Sequence, residues 1–374
     1  MPSKRASKTQ STEKRKDSGE LTQLLKDVSK VHGDNVIARG RNTMMSWRYL
    51  PTGITVLDLA MLGGIPENVI TCLYGWESSG KTTLAMRTVA SAQKKYPDKC
   101  VAYVDIEGTY DRTWAELNGV DHSEDKFLYI LPDTGEQGVD IINALLATLD
   151  VSLVVCDSIA AMMPSKMEEA SAEDNLMALQ ARMINRFVAK ASLTLTKERK
   201  RGHTVSLICI NQFRRTMVMM GDNRTICGGV GQNFFYTTMI EVKNKKEIIA
   251  KDSRGIDCIQ FSDHAFLIKK AKTGKVFNSG EFSLVSSHGH RLPKGSIDDL
   301  AVVTSFAKKA GIISGEGGSK KTIVGIDKEF AKFSDIEDWM IEDRANYLLM
   351  RRLLIMAERE TQQLAADSRD DYLC

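Results

Sequence analysis

Eight consecutive residues, Gly75-Trp76-Glu77-Ser78-Ser79-Gly80-Lys81-Thr82, lie between an apolar strand-like run (Asn68 to Tyr74) and a helix-forming segment (Thr82 to Lys94). A polyphosphate brings several negative charges that must be met away from bulk water. A glycine-rich turn entering a helix meets them with converging backbone N–H groups and the positive end of the helix dipole. Gly75 and Gly80 let the backbone bend and approach closely. Lys81 is expected to reach the β- and γ-phosphates and the Thr82 hydroxyl to ligate Mg²⁺, with Thr83 beside it counted among the nucleotide-binding residues. The flanking strand and helix argue against a chance Gly/Ser turn, so the segment is read as a nucleoside triphosphate site.

Further carboxylates and amides sit at the ends of other apolar runs. Val151-Ser-Leu-Val-Val-Cys-Asp157 ends in an acid suited to holding Mg²⁺, directly or through water. Cys100-Val-Ala-Tyr-Val-Asp105-Ile-Glu107 ends at the same sheet edge. Glu107 is the candidate general base, orienting a water toward the γ-phosphate; the alternative is a helix-capping or solvated carboxylate. Ile208-Cys-Ile-Asn211-Gln212 places an amide where a γ-phosphate can be sensed. After it, residues 213–231 mix cations (Arg214, Arg215, Arg224), methionines (Met219, Met220) and the pair Gly228-Gly229, without helical or strand periodicity. Two readings fit these residues. One is a loop that neutralises phosphates and wedges methionines between bases of single-stranded DNA; the other is an ordinary surface loop folded back on the core.

Positioning these groups requires alternating strands and helices, hence an α/β fold with a mostly parallel sheet covered on both faces. Buried strands are expected at Val69–Tyr74, Cys100–Val104, Ser152–Cys156 and Val205–Ile210, and helices at Thr82–Lys94, Arg112–Asn118, Gly138–Leu149 and Leu176–Lys200. Runs at His264–Lys269 and Glu281–Val285 extend the sheet with antiparallel strands. Residues 1–19 are polar, with a basic cluster that reads better as a solvated tail than as a nucleic-acid contact or an address. Leu21, Leu24, Leu25, Val28 and Val31 form a helical stripe over Glu20–His32, within a docking segment and linker at 20–49. The core is expected at 50–292. A small α/β C-terminal domain follows at 293–374, with helices at Ile297–Ala310 and Phe333–Arg359 around a Gly-rich insert, Gly311–Gly325.

Bulk composition narrows the class. With 374 residues, 43% of them hydrophobic, the chain can bury a large core. Its 51 basic and 48 acidic residues nearly balance, so any nucleic-acid site must be local. Seven cysteines without a Cys-x-x-Cys pair, four of them (Cys72, Cys100, Cys156, Cys209) inside apolar runs, read as buried hydrophobes in a reducing compartment. No run reaches the length of a membrane span and no signal-peptide core is seen, so a soluble intracellular protein is expected. His288 and His290 flank a glycine, and without an accompanying cluster they do not read as metal ligands.

Taken together, the motifs resemble the RecA family of strand-exchange proteins, densely from about Leu50 to Val285. Leu57-Asp-Leu-Ala-Met-Leu-Gly-Gly-Ile-Pro66, Pro132-Asp-Thr-Gly-Glu-Gln137, Asp157-Ser-Ile-Ala-Ala161, Ala181-Arg-Met183 and Asn211-Gln212 are specific to RecA-like proteins rather than to phosphate-loop proteins at large. The resemblance implies an ATP- and Mg²⁺-dependent, DNA-dependent ATPase. Such a protein forms head-to-tail helical filaments on single-stranded DNA and pairs that DNA with duplex, in a bacterial or phage-infected bacterial cytoplasm. It implies Glu107 as the catalytic glutamate, Asp111 and Trp114 flanking the adenine, and Gln212 as the γ-phosphate sensor opening the second DNA loop. A first DNA loop falls at 164–177, with Met177 wedging bases and Arg182 near the backbone. Lys270 and Lys272 resemble paired lysines that reach a neighbour's ATP, which would make hydrolysis depend on polymerisation.

Departures from the family pattern are Trp76 for a proline, Trp114 for a tyrosine, Met220 for an aromatic, a second loop one residue shorter, and an acidic tail reduced to Asp367-Ser-Arg-Asp-Asp371. The short tail predicts weaker self-inhibition of duplex binding, and the divergence suggests a phage-encoded or otherwise unusual member. A hexameric helicase is disfavoured because such motors use an arginine finger. A paralogue that binds ATP without turnover is disfavoured by the set Lys81, Thr82, Glu107 and Asp157.

Overall fold

The computed structural model describes residues 19–33, 37, 47–165, 173–215, 224–251, 254–287 and 291–370. They fall into two units, 1–46 and 47–374. The first holds α1 (Gly19–His32), whose apolar stripe includes no buried residue.

In the second unit the chain runs β1 (Tyr49–Leu50), α2 (Thr55–Ala60), β2 (Ile65–Pro66), β3 (Ile70–Gly75), α3 (Lys81–Lys95), β4 (Cys100–Asp105) and α4 (Arg112–Leu117). There follow β5 (Phe127–Ile130), α5 (Gly135–Leu146), β6 (Val151–Asp157), α6 (Glu173–Lys200), β7 (Ser206–Arg215) and β8 (Arg224–Ile226). A long hairpin of β9 (Thr238–Lys251) and β10 (Asp257–Ala271) leads to β11 (Ser279–Val285) and β12 (Ile297–Asp298). The chain ends with α7 (Leu300–Lys309), β13 (Ile313–Ser314), β14 (Lys321–Ile323), β15 (Ile326–Phe330), α8 (Phe333–Glu342) and α9 (Arg344–Asp370).

Valine- and isoleucine-rich runs too short for helices form the centre of the main sheet, ordered β12-β11-β10-β9-β3-β7-β6-β4-β5 with β8 paired to β7. From β9 to β5 the neighbours are parallel, and β10 to β12 add antiparallel strands. This is the expected mostly parallel α/β core. Alternate residues feed two clusters on opposite faces. Leu73, Val101, Tyr103, Leu153, Val155, Ile208 and Ile210 join one with α2 and α3; Cys72, Ala102, Val104, Val154, Cys156, Leu207 and Cys209 join the other with α5 and α6. Burial on both faces is why these strands read as continuous apolar runs rather than as alternating ones. Of the four cysteines expected inside, Cys100 is only partly buried.

Several boundaries differ from the sequence reading. The helix expected at Gly138–Leu149 starts at Gly135, because Thr134 accepts the Gln137 N–H as its N-cap. Ile297 and Asp298 pair with β11 before α7 begins. The run 333–359 divides at Asp343, whose carboxylate accepts the Ala345 N–H and starts α9 afresh. The Gly-rich insert contributes β13 and β14 to a small antiparallel sheet with β15. Around that sheet α7, α8 and α9 close a third apolar cluster, to which α2 lends Leu59. β5 and β9 were not anticipated: β5 has two exposed residues among its four, and beyond Val242 β9 is charged and largely exposed. Among the described residues no helix is long and apolar enough to cross a membrane.

Candidate nucleotide site and adjoining loops

Parallel register brings the chemical residues to one edge of the sheet. Gly75 pairs with Gln212, Asp105 with Asp157, and Cys156 with Cys209, so the carboxyl ends of β3, β4 and β6 lie together beside Asn211 and Gln212 of β7. In open α/β sheets that edge is where ligands bind.

The loop 75–82, the candidate phosphate loop, is held from below and behind. A side chain at Gly75 would put its Cβ 2.2 Å from the Val242 carbonyl of β9, so only glycine fits. Gly80 has φ +93° and caps α3 directly above His264. The His264 ring stacks on Phe282, and its Nδ1 lies 3.0 Å from the Ser79 carbonyl oxygen while its Nε2 meets the Ser262 hydroxyl at 2.9 Å. Burial lowers its pKa, against the raising effect of the Ser79 contact and nearby acids.

Lys81 folds back on the loop, its Nζ donating to the carbonyls of Trp76 (2.6 Å) and Gly75 (3.3 Å) and to Ser79 Oγ (3.3 Å). Burial lowers its pKa, opposed by the charges of Asp157, Glu107 and Glu77. Thr82 donates to Asp157 Oδ2 at 3.0 Å, and Tyr103 donates to the same oxygen at 2.6 Å. Burial drives Asp157 up to about 6, with Glu107 adding to the rise and the two hydroxyl donors opposing it. A hydroxyl and a carboxylate this close are the hard-oxygen donor set that suits Mg²⁺, which takes most of its other ligands from water and phosphate.

Glu107 Oε1 accepts from Gln212 Nε2 at 2.9 Å and from the Ser158 hydroxyl. Asp105, by contrast, is consumed by structure, accepting the Gly108 and Tyr110 N–H groups and the Tyr129 hydroxyl. Trp114 borders a cavity of about 310 Å³ together with Ser78 to Thr83, and its Nε1 donates to Thr83 Oγ1 at 3.1 Å. Asn244, Glu247, Ser262, His264 and Leu284 complete the wall. The sequence reading missed all five, because they arrive on β9, β10 and β11 and carry no motif. Asp111 does not line this cavity; it caps α4 by accepting the Trp114 N–H. Glu77 and Trp76 lie on the exposed crest of the loop.

β7 continues past Gln212 without a break. Phe213 pairs with Ile226, Arg214 with Thr225 and Arg215 with Arg224, so the start and end of the supposed loop are a β-hairpin. The Phe213 ring lies 5.4 Å from both Tyr74 and Trp76, and the Arg215 guanidinium is 5.9 Å from the Trp76 ring. Arg224 lies over Phe213 and 3.5 Å from Glu241. Buried Asn211 donates to the Cys227 carbonyl and to Gln232, tying down the turn that carries Gly228 and Gly229. Met219, Met220, residues 166–172 of the other candidate loop, and His288 and His290 lie outside the described residues. Met177, at 60% exposure, and Arg182 stand on the exposed side of α6. Lys270 donates to the Asn233 carbonyl and Lys272 to that of Phe234, both in the short turn after the glycines.

The family described as RecA N-terminal domain matches residues 19–291. Protein RecA of Levilactobacillus brevis is 34% identical over 327 residues, covering 86% of this chain and 82% of that one. Protein RecA of Francisella philomiragia is 32% identical over 338 residues, 89% of each chain, and that of Trichodesmium erythraeum 33% identical over 309 residues.

Proposed function

This chain belongs to the RecA family, and from that membership we infer a DNA-dependent ATPase that forms helical filaments on single-stranded DNA and exchanges strands in recombination and repair. The observation that carries the site assignment is the gathering of Lys81, Thr82, Asp157, Glu107 and Gln212 at one sheet edge, with Thr82 hydrogen-bonded to Asp157 and Gln212 to Glu107. ATP is the proposed nucleotide. Its triphosphate lies along the loop 75–82, with Lys81 turning from its present carbonyl partners to the β- and γ-phosphates. Thr82 and Asp157 would hold Mg²⁺, which supplies positive charge to the phosphate oxygens. Glu107 Oε1 orients the attacking water and takes its proton, and Trp114 stacks on the base. Ser158 and Gln212 fix the rotamer of Glu107. Because Gln212 continues into the Arg214–Arg215 hairpin, a change at the γ-phosphate is passed directly to that hairpin.

DNA is the proposed partner of that hairpin. Arg214, Arg215 and Arg224 meet backbone phosphates, Gly228 and Gly229 let the chain approach closely, and Met219 and Met220 wedge between bases; Met177 and Arg182 contribute from α6. In the filament, Lys270 and Lys272 exchange their carbonyl partners for the neighbour's ATP and complete the charge stabilisation there. ATP hydrolysis measured with and without single-stranded DNA, against protein concentration, tests the reading. A cooperative, DNA-stimulated rate that is lost in Lys270→Ala or Lys272→Ala is expected. A DNA-independent rate, or none, would favour a nucleotide-binding paralogue.

A further inference from the structure

A second cavity, of about 660 Å³, opens between α3 and α9, away from the phosphate loop. Three cations reach it from α3 (Arg87, Lys94, Lys95) and four from α9 (Arg344, Arg351, Arg352, Arg359), and among the described residues no carboxylate lines it. Two of these charges are met from behind the wall, Lys95 by Glu67 and Arg351 by Asp58. The others are not. Arg87 spends its guanidinium on the carbonyls of Gly295 (3.0 Å) and Gly53 (3.2 Å) and on the Asn118 amide oxygen, and its Nε has no partner. Arg359 donates to the Leu62 carbonyl. Lys94, Arg344 and Arg352 form no ion pair among the described residues. Lys94 is held below the usual lysine range by burial and then by the charges of Arg344 and Arg87.

Like charges converging on one concave space repel each other unless an anion joins them. The cavity has the volume of a small-molecule site, and Pro51, Ala90, Leu348, Ile355 and Met356 give it an apolar wall. We propose that this cleft binds a small phosphate ester carrying two or more phosphoryl groups, at a site separate from the nucleotide site. Its phosphoryl oxygens take the Arg344 and Arg352 guanidinium groups of α9 in bidentate fashion and the Lys94 ammonium of α3, and its carbon skeleton lies on the apolar wall. A nucleic-acid backbone fits less well, because the cations converge from two helices on one cleft with an apolar wall instead of being spaced along a strip of surface.

Inorganic tripolyphosphate, titrated calorimetrically into the full chain saturated with ADP, provides the test. One further site per chain is expected. Its affinity should fall about tenfold or more in the double variant Arg344→Glu, Arg352→Glu, whose exposed positions leave the fold intact. The site should persist in Lys81→Ala, in which the phosphate loop is disabled. Absence of binding beyond the ADP site, an unchanged affinity in the double variant, or loss of the site in Lys81→Ala would overturn the proposal. Displacement of tripolyphosphate by a short DNA duplex at equal phosphate concentration would assign the cleft to DNA instead.

Discussion

Glu107 is the residue on which turnover depends in this reading, and its two hydrogen-bond donors make a clean substitution possible. Gln at 107 keeps the shape and can still pair with Ser158 and Gln212, but it cannot take a proton. Glu107→Gln is therefore expected to reduce ATP hydrolysis by about 10²–10⁴-fold while ATP affinity stays within about twofold. Single-turnover kinetics beside nucleotide binding check this. Asp157 gives a pH signature. Its carboxyl is pushed up to about 6 from an ordinary 3.8, so between those values the folded chain holds a proton that the unfolded chain releases. Stability of the nucleotide-free protein from this group therefore falls as pH rises from about 4 to 6, by about 3 kcal/mol. Metal binding needs the ionised form, so Mg²⁺-dependent nucleotide affinity should decline as pH drops below about 6. Asp157→Asn should bind Mg²⁺-nucleotide weakly at every pH, which nucleotide fluorescence titrations with and without Mg²⁺ would show.

Strands β3, β7 and β9 act as one device at the scale of elements. β9 lies against β3 so closely that Val242 reserves the space beside Gly75, and β10 brings His264 beneath Gly80. The phosphate loop is thus braced by a hairpin far from it in sequence. Gly75→Ala must displace backbone rather than a flexible side chain. It is expected to cost about 2–3 kcal/mol in chemical denaturation and to weaken nucleotide binding in parallel. A variant with native stability and affinity would show that β9 yields at Val242.

Across the whole molecule, the core and the C-terminal helices are joined by a buried pair. Asp58 on α2 is fully buried, Arg351 on α9 is 12% exposed, and Asp58 also accepts from the Thr52 N–H and hydroxyl. Burial raises the Asp58 pKa, opposed first by Arg351. Arg351→Ala leaves that charge without its partner and is expected to cost about 3–5 kcal/mol of unfolding free energy. Because the folded-state pKa of Asp58 then rises further above its unfolded value, the loss should shrink as pH is lowered and Asp58 becomes protonated. Denaturation of the variant and the parent at neutral and acid pH measures both effects.

The parts that could be read from residues alone are those in which local pattern and function coincide. Gly75 to Thr82 reads as a phosphate loop because a strand, a glycine turn and a helix follow one another without interruption, and the strand, turn and helix are there. Asp157, Glu107 and Gln212 were legible because each ends an apolar run, and such runs in an α/β chain end at a common edge. The resemblance rested on these same segments. What the linear chain left open depends on pairing between distant segments. The charged outer half of β9 has no apolar periodicity, so neither the strand nor the wall of Asn244, Glu247 and His264 could be seen before the sheet was assembled. Arg214 and Arg224, ten residues apart in a stretch without periodicity, share a hairpin only because β8 finds hydrogen-bond partners on β7. The basic cleft is likewise invisible in one dimension: its cations are ordinary helix residues until the fold sets α9 and α3 on two sides of one cavity.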